Sequence, residues 1–482
     1  MKDITKEKDF VISWVDGHCE DFYAYSDAIW SFGELGCEEF LSGRLLEDCL
    51  KGQGFEVEAG VAGMPTAFVG TWGTGRPVIG INCEYDALPG LSQHPVPEKK
   101  PVVEGAPGHG CGHNILGVGS IMAAAAMKQW MGETGQTGTI MVLGAPAEEI
   151  CVGKPFMARA GLFQDIDAII DWHPWDHNGA NYETCNAYFN VKYHFRGRTT
   201  HGNAPWEGRS ALDGALLMGH AIELLREHIP PGHPDAANTI NYTFSDVGPE
   251  YPNVVPDRST IWVVGRITTS EEMEQIIKRL HKCAEGASLA TETSLTMEFI
   301  TATHEKIPNK TLSSVLYRNL VEMGPPKFDP DEQAFARKMQ NDLGVEEAGL
   351  VEDIMEFQGG ASAVTDNSEY SWFAPFAMFW ITGAPAGIGW HNWQVAASAR
   401  TSIGKKAMTV ASKVLASSGV DLLTQPQTIE EAKKELSERL AGRTYRSQIP
   451  AGVEPPVNFN RETMEKYRKS MEKHYQAAKV IL

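Results

Sequence analysis

A short glycine-rich segment places two kinds of metal-binding side chain close together. In EGAPGHGCGHNILG (104–117), His109, Cys111 and His113 occupy alternate positions among glycines. In extended backbone, Cys111 and His113 point the same way, and the glycines leave the chain free to bend. A thiolate beside an imidazole suits zinc or a similar divalent ion. A glycine turn with incidental polar groups remains the alternative for this segment alone.

Three further segments end in side chains of the same chemistry. PAEE (146–149) supplies Glu148 and Glu149, of which one can bind a metal while the other faces a substrate as a general base. His173 ends DWHP, and His391 lies in GWHNW. Taken singly, an acidic pair is typical of a solvated loop and a histidine of a hydrogen-bonded loop residue. Their joint occurrence with Cys111 favours a metal site, with His109 outside the ligand set.

The order of apolar runs explains how these side chains could meet. PVIGINCEYDALPG (77–90), GTIMVLGAPAEE (138–149) and IDAIIDWHP (166–174) each run apolar and then turn polar. An alanine-rich helical pattern (117–131) lies between the first two. Alternating strands and helices indicate a mostly parallel sheet covered on both sides, with ligands bound beyond its carboxyl ends. Glu84 and Asp86 follow a strand at the same predicted edge.

The pattern changes near residue 187. Residues 187–304 alternate strands and helices in a β-α-β-β-α-β-like order, which predicts an inserted α+β domain. The remaining segments, 1–186 and 305–482, then form two parts of one α/β catalytic domain, the second with a polar helical tail.

Composition limits the partners and the compartment. The 482-residue chain has a formal charge of −20, which disfavours nucleic acid and anionic membranes as partners. Its start lacks the apolar run of a secretory signal, and its longest apolar stretch, 373–390, is interrupted by proline and glycine. Eight cysteines without a C-x-x-C pair predict reduced thiols in the cytoplasm.

The order of the motifs resembles one known family over nearly the whole chain. EYDALPG, GHGCGHN, PAEE, WHP, GRTTHGNAPWEGRSALDG and NVVPD…GR look like the successive motifs of the dinuclear-metal aminoacylase and carboxypeptidase family. The resemblance implies a mostly parallel-sheet metallohydrolase domain with an inserted lid or dimerisation domain. It also implies two divalent ions per chain, zinc or manganese.

The resemblance also implies a role for each matching residue. Five side chains match the family's metal ligands: Cys111, His113, Glu149, His173 and His391. Glu148 matches the general base, and Asp86 matches an acid that orients a ligand. His201 matches a histidine that reaches the partner's site in family dimers and stabilises the oxyanion. Asn253 and Arg266 match residues that hold the substrate's free carboxylate, although an arginine on a strand also suits a surface ion pair.

The predicted function is that of a metal-dependent amidohydrolase. It would cleave the amide of an N-acyl or N-aroyl amino acid, such as an aminobenzoyl-glutamate conjugate, with a metal-activated water. The expected assembly is a homodimer, with a related subunit as a further partner. A dipeptidase of the same fold and a non-catalytic accessory subunit are the alternatives.

Two departures from the family pattern bear on the substrate. Asn114 stands where many relatives have aspartate, and the segment 361–375 matches the family only loosely. The pocket roles of Asp366 and Glu369 are therefore open, and so is the identity of the acyl group.

Overall fold

The computed structural model describes residues 5–234 and 236–477, which leaves 1–4, 235 and 478–482 outside the described part of the chain. The strands are β1 Glu56–Ala59, β2 Phe68–Thr74, β3 Val78–Cys83, β4 Gly138–Gly144, β5 Ala168–Trp175, β6 Tyr182–Thr184, β7 Ala187–Arg196, β8 Gly232–His233, β9 Ala236–Ala237, β10 Thr239–Asp246, β11 Arg258–Ile267, β12 Ser294–Thr303, β13 Gly359–Ala361 and β14 Phe376–Thr382. The α-helices are α1 Lys6–Phe32, α2 Phe40–Gly52, α3 His113–Thr134, α4 Gly153–Arg159, α5 Ala211–Arg226, α6 Ser270–Thr291, α7 Lys310–Met323, α8 Pro330–Leu343, α9 Trp393–Ser398, α10 Ser402–Thr424, α11 Pro426–Leu440 and α12 Arg461–Met471.

A six-stranded sheet forms the centre of the molecule, in the order β1-β2-β4-β3-β5-β14. The pairs β3–β4, β3–β5 and β5–β14 are parallel, whereas β1 and β2 add an antiparallel edge. One face packs against α1, α3 and α10, where the alanines at 123–126 of α3 are fully buried and allow the helices to approach closely. The other face packs on α4 and is continuous with the core of a second sheet. The predicted mostly parallel α/β fold is confirmed.

The second sheet is antiparallel, in the order β10-β11-β7-β12, and α5 and α6 pack on it. Its strands and helices follow the predicted β-α-β-β-α-β order between residues 187 and 303. Within the described chain, β10 pairs only with β11 and leaves its outer edge free.

The C-terminal segment connects distant parts of the chain. The ring of Phe459 lies edge-on to Trp262 of β11, with centroids 5.7 Å apart. Farther along, Arg468 of α12 forms ion pairs with Glu34 and Glu38 beyond α1. Of the helices in the described ranges, none combines the length and the apolar character required to cross a membrane.

Candidate metal centre

Four adjacent parallel strands, β4, β3, β5 and β14, deliver polar side chains to one edge of the central sheet. Glu84 follows β3, Glu148 and Glu149 follow β4, and His173 is the antepenultimate residue of β5. His391 lies in the loop after β14. Because the carboxyl ends of parallel strands meet at one edge, residues distant in sequence become neighbours here.

Cys111 and His113 reach this edge from a tight turn that leads into α3. The prediction of extended backbone is wrong here, because Cys111 lies in a turn and His113 is the first residue of the helix. Gly112 between them has φ +79°, and a Cβ at this position would lie 2.8 Å from Pro174 Cγ. Glycine therefore permits both the turn and its close approach to the residue after His173.

The five predicted ligands form two groups that share one atom. Two sets of three ligand atoms each lie within 4.8 Å of one another: Cys111, His113 and His173, and Cys111, Glu149 and His391. The Cys111 Sγ–His173 Nε2 distance is 3.4 Å, and the Glu149 Oε2–His391 Nε2 distance is 3.3 Å. Tetrahedral zinc with Zn–N, Zn–O and Zn–S lengths of about 2.0–2.3 Å would separate such pairs by about 3.3–3.6 Å. Both distances fit shared coordination of an ion.

Hydrogen bonds orient two of the imidazoles toward the centre. His113 Nδ1 donates to Asp86 Oδ1 at 2.9 Å, and Asp86 Oδ2 accepts from the backbone N–H of Glu149 at 3.0 Å. His173 Nδ1 donates to the Pro174 carbonyl at 2.6 Å. In both histidines the proton on Nδ1 leaves Nε2 as a lone pair directed at the cluster, as in metal-binding histidines.

Two buried atoms of the cluster lack a hydrogen-bond partner within the described chain: His113 Nε2 and Glu149 Oε1. Burial of such atoms costs free energy unless a cation or a hydrogen bond compensates. Burial also raises the pKa of the Cys111 thiol, as does the nearby Glu149 carboxylate. A thiolate at this position therefore requires a cation beside it, and the residues fit divalent metal ions.

Strained backbone flanks the cluster. Ala147, Cys151 and His391 have φ between +53° and +62°, although none of them is glycine. Ala147 is held there by its N–H, which donates to buried Glu39 Oε1 at 2.8 Å. Residues in this region each cost about 1–3 kcal/mol and persist where the surroundings impose them. The strain sets the direction of the Glu148–Glu149 turn.

Glu148 lies beside the cluster without belonging to either of these two groups. Its Oε2 is 4.0 Å from His113 Nε2, and 13% of its side chain is exposed. Burial raises the pKa of Glu148 to about 7, and the neighbouring Glu84 carboxylate contributes to the increase. A carboxylate with access to solvent beside a candidate metal site can exchange protons with water.

Sequence reasoning missed several contacts around the cluster. Trp390 Nε1 donates to Cys111 Sγ at 3.2 Å, and the Trp390 ring stacks on Trp175 with centroids 4.3 Å apart. Lys154 is fully buried and contacts Glu84. A lysine in the apolar run after PAEE was the available signal for the last contact.

Residues outside the cluster have structural partners. His109 is buried, with Nε2 3.0 Å from the Ile29 carbonyl. Asn114 donates to Ser26 Oγ at 3.0 Å and so ties α3 to α1. Asp366 pairs with Lys154, and Glu369 lies 2.9 Å from His304 Nδ1. These contacts hold the protein interior together.

The three predicted residues of the insert lie apart from the cluster in this chain. His201 and Asn253 are neighbours at a short β-bridge between His201 and Val254, and both are exposed. Arg266 of β11 is exposed beside Tyr188, with 5.8 Å between the guanidinium carbon and the ring centroid. Among the described residues, no hydrogen bond or ion pair joins them to the cluster, and their predicted roles stay predictions.

A thiolate, imidazoles and carboxylates at the carboxyl edge of a parallel sheet define a metallohydrolase-type centre. Residues 80–480 match the peptidase family M20/M25/M40, and the chain belongs to that family. The predicted family and enzyme class are thus confirmed.

Individual relatives extend this similarity. The chain is 33% identical over 476 residues to one of the subunits of p-aminobenzoyl-glutamate hydrolase from Escherichia coli K12, covering 92% of this chain and 98% of the relative. It is 28% identical over 449 residues to the Xaa-Arg dipeptidase of Mus musculus, covering 88% and 91%. An aminobenzoyl-glutamate utilization protein from Klebsiella pneumoniae has the same fold, with a TM-score of 0.56 at 17% identity, covering 82% and 97%.

Proposed function

We propose that this chain is a metal-dependent amidohydrolase that cleaves the amide bond of an N-acyl or N-aroyl amino acid. The observation that carries the proposal is the pair of ligand groups sharing Cys111, with Glu148 beside them. The name of the Escherichia coli relative supplies the first substrate to test, p-aminobenzoyl-glutamate.

The proposed chemistry divides the work among named side chains. Two divalent ions, zinc or manganese, would be held by the five ligands and would supply Lewis acidity that makes water more acidic. Glu148 takes a proton from the attacking water and returns it to the leaving amine. His201 donates a hydrogen bond to the carbonyl oxygen as negative charge develops there. Asn253 and Arg266 hold the free carboxylate of the amino acid.

A homodimer is part of the proposal, because His201 lies apart from the cluster of its own chain. The insert presents exposed apolar residues on α5, namely Leu216, Leu217 and Leu224, and the free edge of β10. Both features are suited to pairing with a second copy. We propose 187–304 as the dimerising insert between catalytic parts 1–186 and 305–482. Because the Escherichia coli relative is named as one subunit of its enzyme, a related subunit should be tested as a partner as well.

The proposed compartment is the cytoplasm. Each of the eight cysteines is unpaired, and six of them are buried. Unpaired thiols persist where the cellular environment is reducing.

Two alternatives remain to be tested. The similarity to an Xaa-Arg dipeptidase makes dipeptides with C-terminal arginine the second candidate substrates. A non-catalytic accessory subunit is the other alternative, and the retention of Glu148 together with all five ligands argues against it.

A substrate panel distinguishes these possibilities. Purified protein supplied with zinc or manganese should hydrolyse p-aminobenzoyl-glutamate and benzoyl amino acids with a kcat/KM at least tenfold above that for Xaa-Arg dipeptides. The α-methyl ester of each good substrate is the control, and it should react poorly if the carboxylate is held. The reverse order of rates would support the dipeptidase, and no hydrolysis of any compound would support the non-catalytic alternative.

A further inference from the structure

A buried lysine lies directly below the candidate metal centre. Lys154, in the first turn of α4, is fully buried, and its Nζ lies 2.8 Å from Glu84 Oε1 and in contact with Asp366 Oδ1. The backbone N–H of Lys154 also donates to Asp366 Oδ2 at 3.1 Å. Buried ion pairs contribute little net stability compared with apolar side chains of similar volume. Stability alone therefore gives a weak reason for a charged group at this position.

The two oxygens of Glu84 face different surroundings. Oε1 receives the Lys154 ammonium and the Asn82 side-chain amide, the latter at 2.9 Å. Oε2 faces His113 Nε2 at 3.4 Å, on the side of the cluster where Glu148 lies. Lys154 and Asn82 together fix the carboxylate so that its second oxygen points at the metal centre.

The contact between Glu84 Oε2 and His113 Nε2 has the character of two ligands of one cation. Nε2 is buried without a hydrogen-bond partner in the described chain, because His113 Nδ1 donates to Asp86. A separation of 3.4 Å exceeds the 2.7–3.2 Å of an N–H···O hydrogen bond. Nitrogen and oxygen ligands of a tetrahedral ion at about 2.0–2.1 Å stand about 3.3 Å apart. Two facing lone pairs at this distance repel unless a positive charge lies against both.

We propose that Glu84 is a sixth metal-facing side chain and that Lys154 is a positioning residue acting through it. Glu84 faces the ion bound by His113, and the ion bound by Glu149 and His391 lies beyond its reach. The inference rests on the proposed function only for the presence of metal ions, and its test requires no substrate.

Titration with Zn²⁺ against a competing chelating dye measures the affinity of each ion directly. Glu84→Gln should weaken one of the two ions about 10- to 100-fold, the range typical of groups that support metal ligands, and leave the other within about twofold. Lys154→Met should weaken the same ion. Because Lys154 acts through Glu84, adding Lys154→Met to Glu84→Gln should change the affinity by no more than about twofold.

Lys8→Met is the matched control. Lys8 is also buried and pairs with two carboxylates, Glu322 and Asp421, each at 2.9 Å, but in a different part of the chain. This variant loses a comparable ion-pair network and should keep both Zn²⁺ affinities.

Each outcome of the titration decides the inference. Unchanged affinities in Glu84→Gln would overturn it, even if Lys154→Met does not fold. Full additivity of the two substitutions would show that Lys154 does not act through Glu84. If the wild-type chain binds two ions but hydrolyses no compound of the panel, the proposed function fails while this inference stands. Absence of Zn²⁺ binding in the wild-type chain would remove both.

Discussion

Glu148 and Glu149 are adjacent in sequence but have different surroundings. Glu149 lies 3.3 Å from His391 and belongs to a ligand group, whereas Glu148 faces the cluster from the side and retains some access to solvent. The left-handed backbone at Ala147 and Cys151 begins and ends the short turn that separates them. The residue types and their spacing predicted this division, but the turn that produces it carries no sequence signal, because neither flanking residue is glycine.

The first prediction uses this adjacent pair. Glu148→Gln should keep the fold and the metal content and reduce turnover on the order of 10²–10⁴-fold, because the amide cannot accept the proton of the attacking water. Glu149→Gln is the matched variant and should lose metal as well as turnover. Metal analysis and steady-state kinetics on both proteins check the assignment. A wild-type rate in Glu148→Gln would exclude it as the base.

At the scale of elements, the site depends on how closely α3 packs on the central sheet. The alternation of apolar runs and helices predicted the sheet edge, since parallel strands bring their carboxyl ends together whatever the loops do. It did not predict that α3 begins at His113, four residues before the predicted start at 117, because the glycine-rich segment hides the helix. The buried contact between Lys154 and Asp366 was also missed, since it joins residues 212 positions apart.

Gly117 sets the distance between α3 and the end of β3. A Cβ at Gly117 would lie 2.4 Å from the backbone oxygen of Glu84, whereas one at Gly132 of the same helix meets no atom within 4 Å. Gly117→Ala should destabilise the protein by about 1–3 kcal/mol and weaken metal binding, because it moves His113 away from Glu84. Gly132→Ala should stabilise it by about 0.5–1 kcal/mol and leave metal binding alone. Denaturant unfolding and Zn²⁺ titration measure both effects, and equal behaviour of the two variants would contradict this account of the packing.

At the scale of the whole molecule, two sheets divide the proposed functions between them. The central sheet carries the candidate metal centre, and the second sheet carries His201, Asn253 and Arg266 on its exposed parts. The change of pattern near residue 187 predicted the second sheet. The sequence alone does not determine the position of this sheet relative to a second chain, because that position depends on contacts between copies rather than on local patterns.

Mixed dimers test whether His201 acts across the interface. His201→Ala should reduce turnover about 10²–10³-fold without loss of metal, since a hydrogen bond to the developing oxyanion is worth roughly 2.7–4 kcal/mol. Mixing it with Glu148→Gln should restore activity, because one site of each mixed dimer then has an intact base and an intact partner histidine. Differently tagged chains verify the exchange. Verified mixed dimers that remain as inactive as both parents would show that His201 does not act in trans.

The most direct test of the central claim is metal removal, followed by hydrolysis of p-aminobenzoyl-glutamate. The account predicts up to two divalent ions per chain, loss of hydrolysis as a chelator removes them, and recovery when zinc or manganese is returned. Cys111→Ala should lose metal under milder chelation than the wild-type chain, because its sulfur belongs to both ligand groups. Undiminished hydrolysis by protein with no measurable divalent metal would contradict the account.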